Sequence, residues 1–234
     1  MLHPARTVMI TGASGNLGRA VAAAFTAQGA NVALIDRKRE KLARTFGAED
    51  AQTFFVVADL LDQHQVSAAA ASIRERYGCI DVLCNIAGGF RMGEPVHATP
   101  DDDWQFLFDV NARTFLNAVR AVVPQMIEAG GGKVVSVAAY GALKGGAKMG
   151  PYAASKDVVI RLTESMAAEL RTKNINVNCV LPTIIDTPEN RTAMPDADPS
   201  RWVAPEDLAK VITFLASDDA RAIHGASIPV TGLS

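Results

Sequence analysis

Histidine and cysteine are scarce in this chain. Its 234 residues hold four histidines and three cysteines. His3, His64, His97 and His224 are scattered and show no metal-ligand spacing, so no metal site is expected. Cys79, Cys84 and Cys179 are odd in number and form no CxxC pair, which argues against a disulfide framework. Cys84 and Cys179 fall in apolar runs and read as buried free thiols, which fits a reducing, cytoplasmic setting. No apolar run approaches the roughly 20 residues of a membrane span. The opening MLHPARTVMITG has no long apolar core before a cleavage site and reads as a short lead into a strand rather than a signal peptide. Against a net charge of −2 no block of Lys and Arg stands out, so nucleic acid is not an expected partner. Internal repeats and low-complexity linkers are also missing.

What is present is apolar and alternating. The chain is 49% hydrophobic, enough for a substantial core. Strand-like runs at Thr7–Thr11, Asn31–Asp36, Thr53–Ala58, Val82–Asn85, Lys133–Val137, Ile175–Leu181 and Ser227–Val230 are separated by helical segments. Those segments lie near Asn16–Gln28, Arg39–Phe46, Gln63–Tyr77, Asp101–Ala129, Tyr152–Lys173 and Pro205–Ala216. Several strands are continuous apolar runs, as parallel strands buried on both faces require. The alternation predicts one α/β domain over residues 1–234, a doubly wound Rossmann-type sheet of about seven parallel strands with helices on both faces. The Asp101 helix is predicted to open with Thr99 as N-cap, followed by Pro100 and three aspartates, and to end at Gly130–Gly132. The Pro-, Asp- and Thr-rich stretch from Pro182 to Pro205 is the least regular part, and a small lid or binding loop is predicted at about 183–204.

The first strand runs into TGASGNLGRA, where Gly12, Gly15 and Gly18 precede a helix. Glycines at a strand–helix turn let backbone N–H groups and the helix N-terminus approach a pyrophosphate. The turn predicts a dinucleotide cradle built from Gly12, Ser14, Gly15, Asn16, Leu17 and Gly18. Asp36 ends the second strand, where a carboxylate accepts hydrogen bonds from ribose hydroxyls and repels a 2′-phosphate. NAD(H) is therefore favoured, while the adjacent Arg37, Lys38 and Arg39 keep NADP(H) open. Tyr152 and Lys156 lie four residues apart on a predicted helix and share one face, a pairing suited to proton transfer. A neighbouring ammonium is expected to lower the phenol from its usual pKa near 10. Phe90, Arg91 and Met92 follow the fourth strand at its carboxyl end, where open α/β sheets bind ligands. Trp202 is expected to pack rather than face the pocket.

In order along the chain, TGASGNLG, Asp36, Asp59-Leu60, CNIAGG at 84–89, Asn111, YAASK at 152–156 and LPTIIDT at 181–187 resemble the short-chain dehydrogenase/reductase family over nearly the whole length. The resemblance implies an NAD(P)-dependent oxidoreductase. It places Asp59 and Leu60 beside the adenine, and Asn85, Ala87 and Gly88 along the cofactor. Pro182, Ile185 and Thr187 would hold the nicotinamide end. Tyr152 becomes the proton donor, Lys156 the holder of the nicotinamide ribose, and Asn111 the anchor of a water that relays protons to Lys156. It also implies a homodimer or homotetramer through the helices near 101–129 and 152–173, and a small-molecule substrate. Asn16 stands where the best-known branch has Gly or Ala, and Ile86 replaces a second Asn.

A further departure concerns the reaction itself. The family's catalytic serine lies thirteen positions before the tyrosine, and that position here is Ala139. Losing such a donor typically costs about 10²–10³ in rate, or about 3–4 kcal/mol. Either the substrate is reactive enough to do without it, or Tyr140 or Ser136 substitutes, or the chain binds a dinucleotide with little catalysis. Strand alternation turns Ser136 to the other face, leaving Tyr140 as the better stand-in. The segment LPTIIDTPENRTAMPDADPSRW, the glycine turn and the alanine at 139 resemble dihydropteridine reductase, whose quinonoid substrate is activated. Three readings follow: a reductase of a small activated C=O or C=N group, an alcohol dehydrogenase or 3-oxoacyl reductase using Tyr140, and a non-catalytic dinucleotide sensor. Ala139, Tyr140 and Phe90 are the candidate substrate-facing residues.

Overall fold

Seven strands, all parallel, form one sheet in the order β3-β2-β1-β4-β5-β6-β7. The structure is a computed structural model that describes residues 5–234. The strands are β1 (Thr7–Thr11), β2 (Asn31–Asp36), β3 (Thr53–Val57), β4 (Val82–Asn85), β5 (Gly132–Val137), β6 (Ile175–Pro182) and β7 (Ser227–Val230). The central ones are buried on both faces, which is why they read as unbroken apolar runs: no residue of β1, β4 or β6 is solvent-exposed. Helices α3 (Gln63–Tyr77), α5 (Thr114–Ala129) and α6 (Gly150–Leu170) cover one face, with Ile73, Phe115, Met126 and Ile160 in its core. Helices α1 (Asn16–Thr26), α2 (Arg39–Phe46) and α8 (Pro205–Leu215) cover the other, with Leu17, Phe25, Leu42, Leu208 and Ile212 inside. The predicted α/β class and its doubly wound architecture are what the chain adopts.

The chain order reverses between β1 and β4, and a crevice opens at their carboxyl ends. Ligands of open α/β sheets bind in such crevices.

Local chemistry sets the ends of the helices that reach it. Asp62 caps α3 by accepting from the N–H groups of His64 (2.8 Å) and Gln65 (3.2 Å). Gly130 ends α5 in a left-handed conformation at φ 83°, as its glycines predict.

Two expectations are corrected. Thr99 does not cap the next helix: Pro100 occupies the N-cap of α4 (Asp101–Phe108) without a side-chain bond, and the Thr99 hydroxyl is buried without a partner. Asp101, Asp102 and Asp103 alone supply favourable charge to that helix start. Nor is 101–129 one regular helix, because residues Asp109–Arg113 form a π-turn between α4 and α5. One extra residue in the turn bulges the backbone at Asn111, a distortion frequent at functional sites. The stretch after β6 is also more ordered than its composition suggests. It carries α7 (Pro188–Ala193), a 3₁₀ turn at Pro199–Arg201, and a bridge between Ile185 and Val203. Trp202 is packed, at 8% exposure.

Candidate active site

The glycine turn is tight enough to exclude side chains. Gly12 has φ 63°, and a Cβ there would lie 2.9 Å from Ala87 Cα. A Cβ on Gly18 would lie 2.3 Å from the Gly12 carbonyl oxygen and 2.7 Å from that of Ala13. These contacts press α1 against β1 and carry its N-terminus into the crevice. Gly15 is the N-cap of α1 with no side-chain cap, so the first helical N–H groups are free for an anion. The Asn16 side chain leaves the turn and donates to Glu189 of α7 at 2.7 Å.

Farther along, Asp36 closes the crevice. The Ser14 hydroxyl donates to one Asp36 oxygen, the Arg37 N–H donates to the other at 2.8 Å, and Lys41 Nζ stands 3.8 Å away. Arg39 is paired with Glu49 instead. A cavity of about 540 Å³ runs from the glycine turn past Asp36, Asp59 and Leu60 to Ala87, Gly88, Ile185 and Thr187. Its volume is in the range of cofactor sites. The absence of a Cβ at Gly12, Gly15 and Gly18, the open α1 terminus and the carboxylate at the far end all fit a dinucleotide.

Behind Gly88, next to this cavity but not on its lining, lie Lys156 and Tyr152 on α6. Lys156 is buried at 6% exposure and donates to the Val137 carbonyl at 2.9 Å. Gly88 is packed over it: a Cβ at residue 88 would lie 2.9 Å from both Lys156 Nζ and Asn111 Oδ1. Asn111 is buried in the π-turn. Its Oδ1 accepts from Gly89 N–H at 2.9 Å, and its Nδ2 donates to the Gly89 carbonyl and the Ser155 hydroxyl, each at 3.0 Å. Burial pushes the Tyr152 phenol up to about 12 and the Lys156 ammonium down to about 8. The expected lowering of Tyr152 by Lys156 is not seen: desolvation alone shifts the phenol and is the main cause for the ammonium, which is turned to a carbonyl.

Most of the predicted residues meet along one crevice, with some displaced from its surface. Ser14 is turned onto Asp36. Asn85 is buried and donates to Ser136 Oγ at 3.3 Å, behind the cavity wall rather than on it. Pro182 is likewise buried at the end of β6. Ser136 is fully buried and its hydroxyl is engaged by Asn85. Ala139 is at 4% exposure, and Tyr140 follows it half-exposed. Phe90 sets its ring edge-on against Tyr152, with centroids 4.9 Å apart.

Sequence reading missed Ser155. It is fully buried, donates to the Tyr152 carbonyl at 2.8 Å and accepts from Asn111, so it ties the π-turn to the helix bearing Tyr152 and Lys156. The signal was present, a hydroxyl beside Lys156 on the buried side of α6. Phe106 at the end of α4, Val110 in the π-turn and Thr114 at the start of α5 were also missed as cavity lining, because the bulge that sets how this stretch faces the crevice is not visible in the residue pattern.

A nucleotide cradle with a half-buried phenol and a buried lysine beside it fits a dinucleotide-dependent oxidoreductase. Comparison with known proteins makes the class specific. The family described as short chain dehydrogenase matches residues 6–198, and the chain belongs to it. The 3-oxoacyl-[acyl-carrier-protein] reductase of Thermotoga maritima is 33% identical over 238 residues, covering 97% of this chain and 96% of that protein. The solved NAD⁺-bound xylitol dehydrogenase superposes with a TM-score of 0.89 at 27% identity, covering 99% of this chain and all of the other. A gluconate 5-dehydrogenase from Burkholderia cenocepacia in complex with NADP and tartrate gives 0.89 at 32% identity, covering 98% and 95%. The chain is an enzyme of this oxidoreductase family, and a nicotinamide dinucleotide is its cofactor. No helix among the described residues is long and apolar enough to cross a membrane.

The buried lysine has a consequence for stability. Its folded pKa of about 8 lies below the ordinary 10.5, so folding disfavours its charged form. Below pH 8 both folded and unfolded chains carry that proton and the penalty is complete. Between pH 8 and 10.5 the unfolded chain holds more protons, so stability attributable to Lys156 rises with pH. The full difference is about 3 kcal/mol. Lys156→Met should therefore lose activity yet match or exceed the wild type in urea denaturation at pH 7. The wild type should gain on the variant as both are taken to pH 10.

Proposed function

We propose that this enzyme is an NADH-linked reductase of a small, activated C=O or C=N substrate, with Tyr152 as proton donor. The observation that carries the reading is the pairing of Ala139 with a half-buried phenol. No hydroxyl stands at residue 139 to polarise the substrate, and the phenol is held in its protonated form at neutral pH. A protonated phenol suits reduction, where a proton is given, better than alcohol oxidation, where one must be taken.

The bound dinucleotide supplies the hydride. The chain's own residues do the rest. Gly12, Gly15, Asn16, Leu17 and Gly18 cradle the pyrophosphate, with Asp59 and Leu60 beside the adenine. Ala87, Gly88, Ile185 and Thr187 bound the nicotinamide end, and Lys156 holds the adjoining ribose. Tyr152 Oη delivers its proton to the substrate heteroatom. Asn111 and Ser155 keep α6 in place and lead a water to Lys156. The segment 183–204 is a lid, a reading supported by the Asn16–Glu189 bond that ties it to the glycine turn, with an internal bridge between Ile185 and Val203 giving it shape. Among activated substrates, a quinonoid dihydropterin is the leading candidate, on the likeness of the 181–202 loop and of Ala139 to dihydropteridine reductase. A 3-oxoacyl or alcohol substrate is the second reading, supported by half-exposed Tyr140 next to Ala139 and by the Thermotoga relative.

NADH is favoured over NADPH because Asp36 faces the cavity and Arg39 is committed to Glu49, although Arg37 and Lys41 border the same space. A homodimer or homotetramer through the helices near 101–129 and 152–173 is supported by Trp104 and Ile127, both exposed on the first of these stretches. Cys84 and Cys179, buried free thiols, support a reducing, cytoplasmic setting.

Two measurements test this reading. Ala139→Ser should leave NADH oxidation by quinonoid dihydropterin nearly unchanged, whereas a gain of about 100-fold on simple ketones favours the carbonyl-reductase reading. Fluorescence titration should show NADH binding tighter than NADPH, and Asp36→Ala should weaken NADH about tenfold while narrowing that preference. Tighter NADPH binding by the wild type would refute the role of Asp36.

A further inference from the structure

Two loops leave the carboxyl ends of the neighbouring strands β4 and β5 and frame Tyr152. The first, Gly89–Gly93, is clamped at both ends. Gly89 exchanges two hydrogen bonds with the Asn111 amide, and Gly93 N–H donates to the Lys148 carbonyl at 2.9 Å. Lys148 is held at φ 60°, a conformation disfavoured for a lysine, in the turn that leads into α6. Between the clamps Phe90 projects with its ring edge-on to Tyr152, at 4.9 Å and 85°. One flank of Phe90 rests on the phenol ring, and the side chain is still 55% exposed. The strap's only charged residue, Arg91, is turned away from Tyr152, paired with Asp103 and lying over the Phe106 ring at 4.2 Å. The second loop adds Tyr140 and Leu143, both exposed.

We infer that Phe90 is a specificity-determining residue: it covers one side of Tyr152 against water and offers an aromatic surface to flat, uncharged, unsaturated ring substrates in preference to open-chain carbonyl compounds. The inference rests on the reductase reading and narrows its substrate class. An exposed aromatic held by two backbone clamps has lost much of the freedom it would otherwise give up on contact with a ligand. Stacked or edge-on aromatic contact rewards a ring and gives an aliphatic chain little. The cover also accounts for part of the desolvation that keeps the phenol protonated.

The test uses the full chain loaded with NAD⁺ and two diones, flat 9,10-phenanthrenequinone and open-chain 2,3-butanedione, with binding measured by calorimetry. Phe90→Ala should weaken the quinone about tenfold and leave the butanedione within about twofold, while Phe90→Tyr should restore the quinone. Equal losses for both compounds, or no loss for either, overturn the specificity. A second readout needs no ligand. Ultraviolet phenolate absorbance at a pH of about 10.5, taken as the difference from the same protein carrying Tyr152→Phe, should be negligible in the wild type and clear in Phe90→Ala. Equal ionisation in both proteins overturns the cover on Tyr152. If quinonoid dihydropterin and both diones all fail to oxidise NADH in the wild type while these differences persist, the reductase reading fails and the role of Phe90 stands.

Discussion

The side-chain amide of Asn111 joins three parts of the chain that are remote in sequence. It holds both backbone groups of Gly89 after β4, it reaches Ser155 on α6, and it projects from a π-turn at the head of α5. Remove that amide and the loop carrying Phe90, the helix carrying Tyr152 and Lys156, and the cavity wall formed by Val110 and Thr114 lose their common anchor. A buried amide whose donors and acceptor are all engaged is costly to disturb, since each partner left behind is an unsatisfied buried polar group. The bulge that presents Asn111 is thus part of the site and not an irregularity of the helix.

Around this anchor the crevice divides its work by environment. At the nucleotide end, backbone approaches backbone: glycines at 12 and 18 leave no room for a Cβ, and α1 delivers an uncapped N-terminus. At the reacting end, burial controls charge. The same low-dielectric surroundings raise Tyr152 and lower Lys156, moving both toward neutral forms. Ala139 belongs to that balance. With no hydroxyl to polarise a carbonyl, the site on the proposed reading takes a substrate already inclined to accept a hydride, with the proton offered from under the Phe90 ring.

The sheet was readable because its strands are buried on both faces and stand out as apolar runs between helical segments; β1, β2, β4 and β7 lie where those runs predict. The cofactor end was readable for a related reason, since glycines and an aspartate at strand ends have few other uses. What escaped reading depends on tertiary depth or on a single inserted residue. A π-turn leaves the 3.6-residue pattern nearly intact, so 101–129 looked like one helix. Thr99 looked like a cap because its residue type fits, but Pro100 takes that place in the folded chain. The irregular composition after Pro182 concealed α7, although Thr187 and Pro188 are a serviceable helix start. Spacing placed Tyr152 and Lys156 on one face but could not tell how deeply that face is buried. The direction of the tyrosine's shift was therefore misjudged.

Replacing Tyr152 by Phe in the full chain separates binding from chemistry most directly. The phenylalanine keeps the ring that packs against Phe90 and removes only the hydroxyl. NADH affinity should stay within about twofold of the wild type, while NADH oxidation by the accepted substrate should fall by at least about 100-fold. Turnover that survives the substitution unchanged would contradict the assignment of the proton donor, and with it the account of the site.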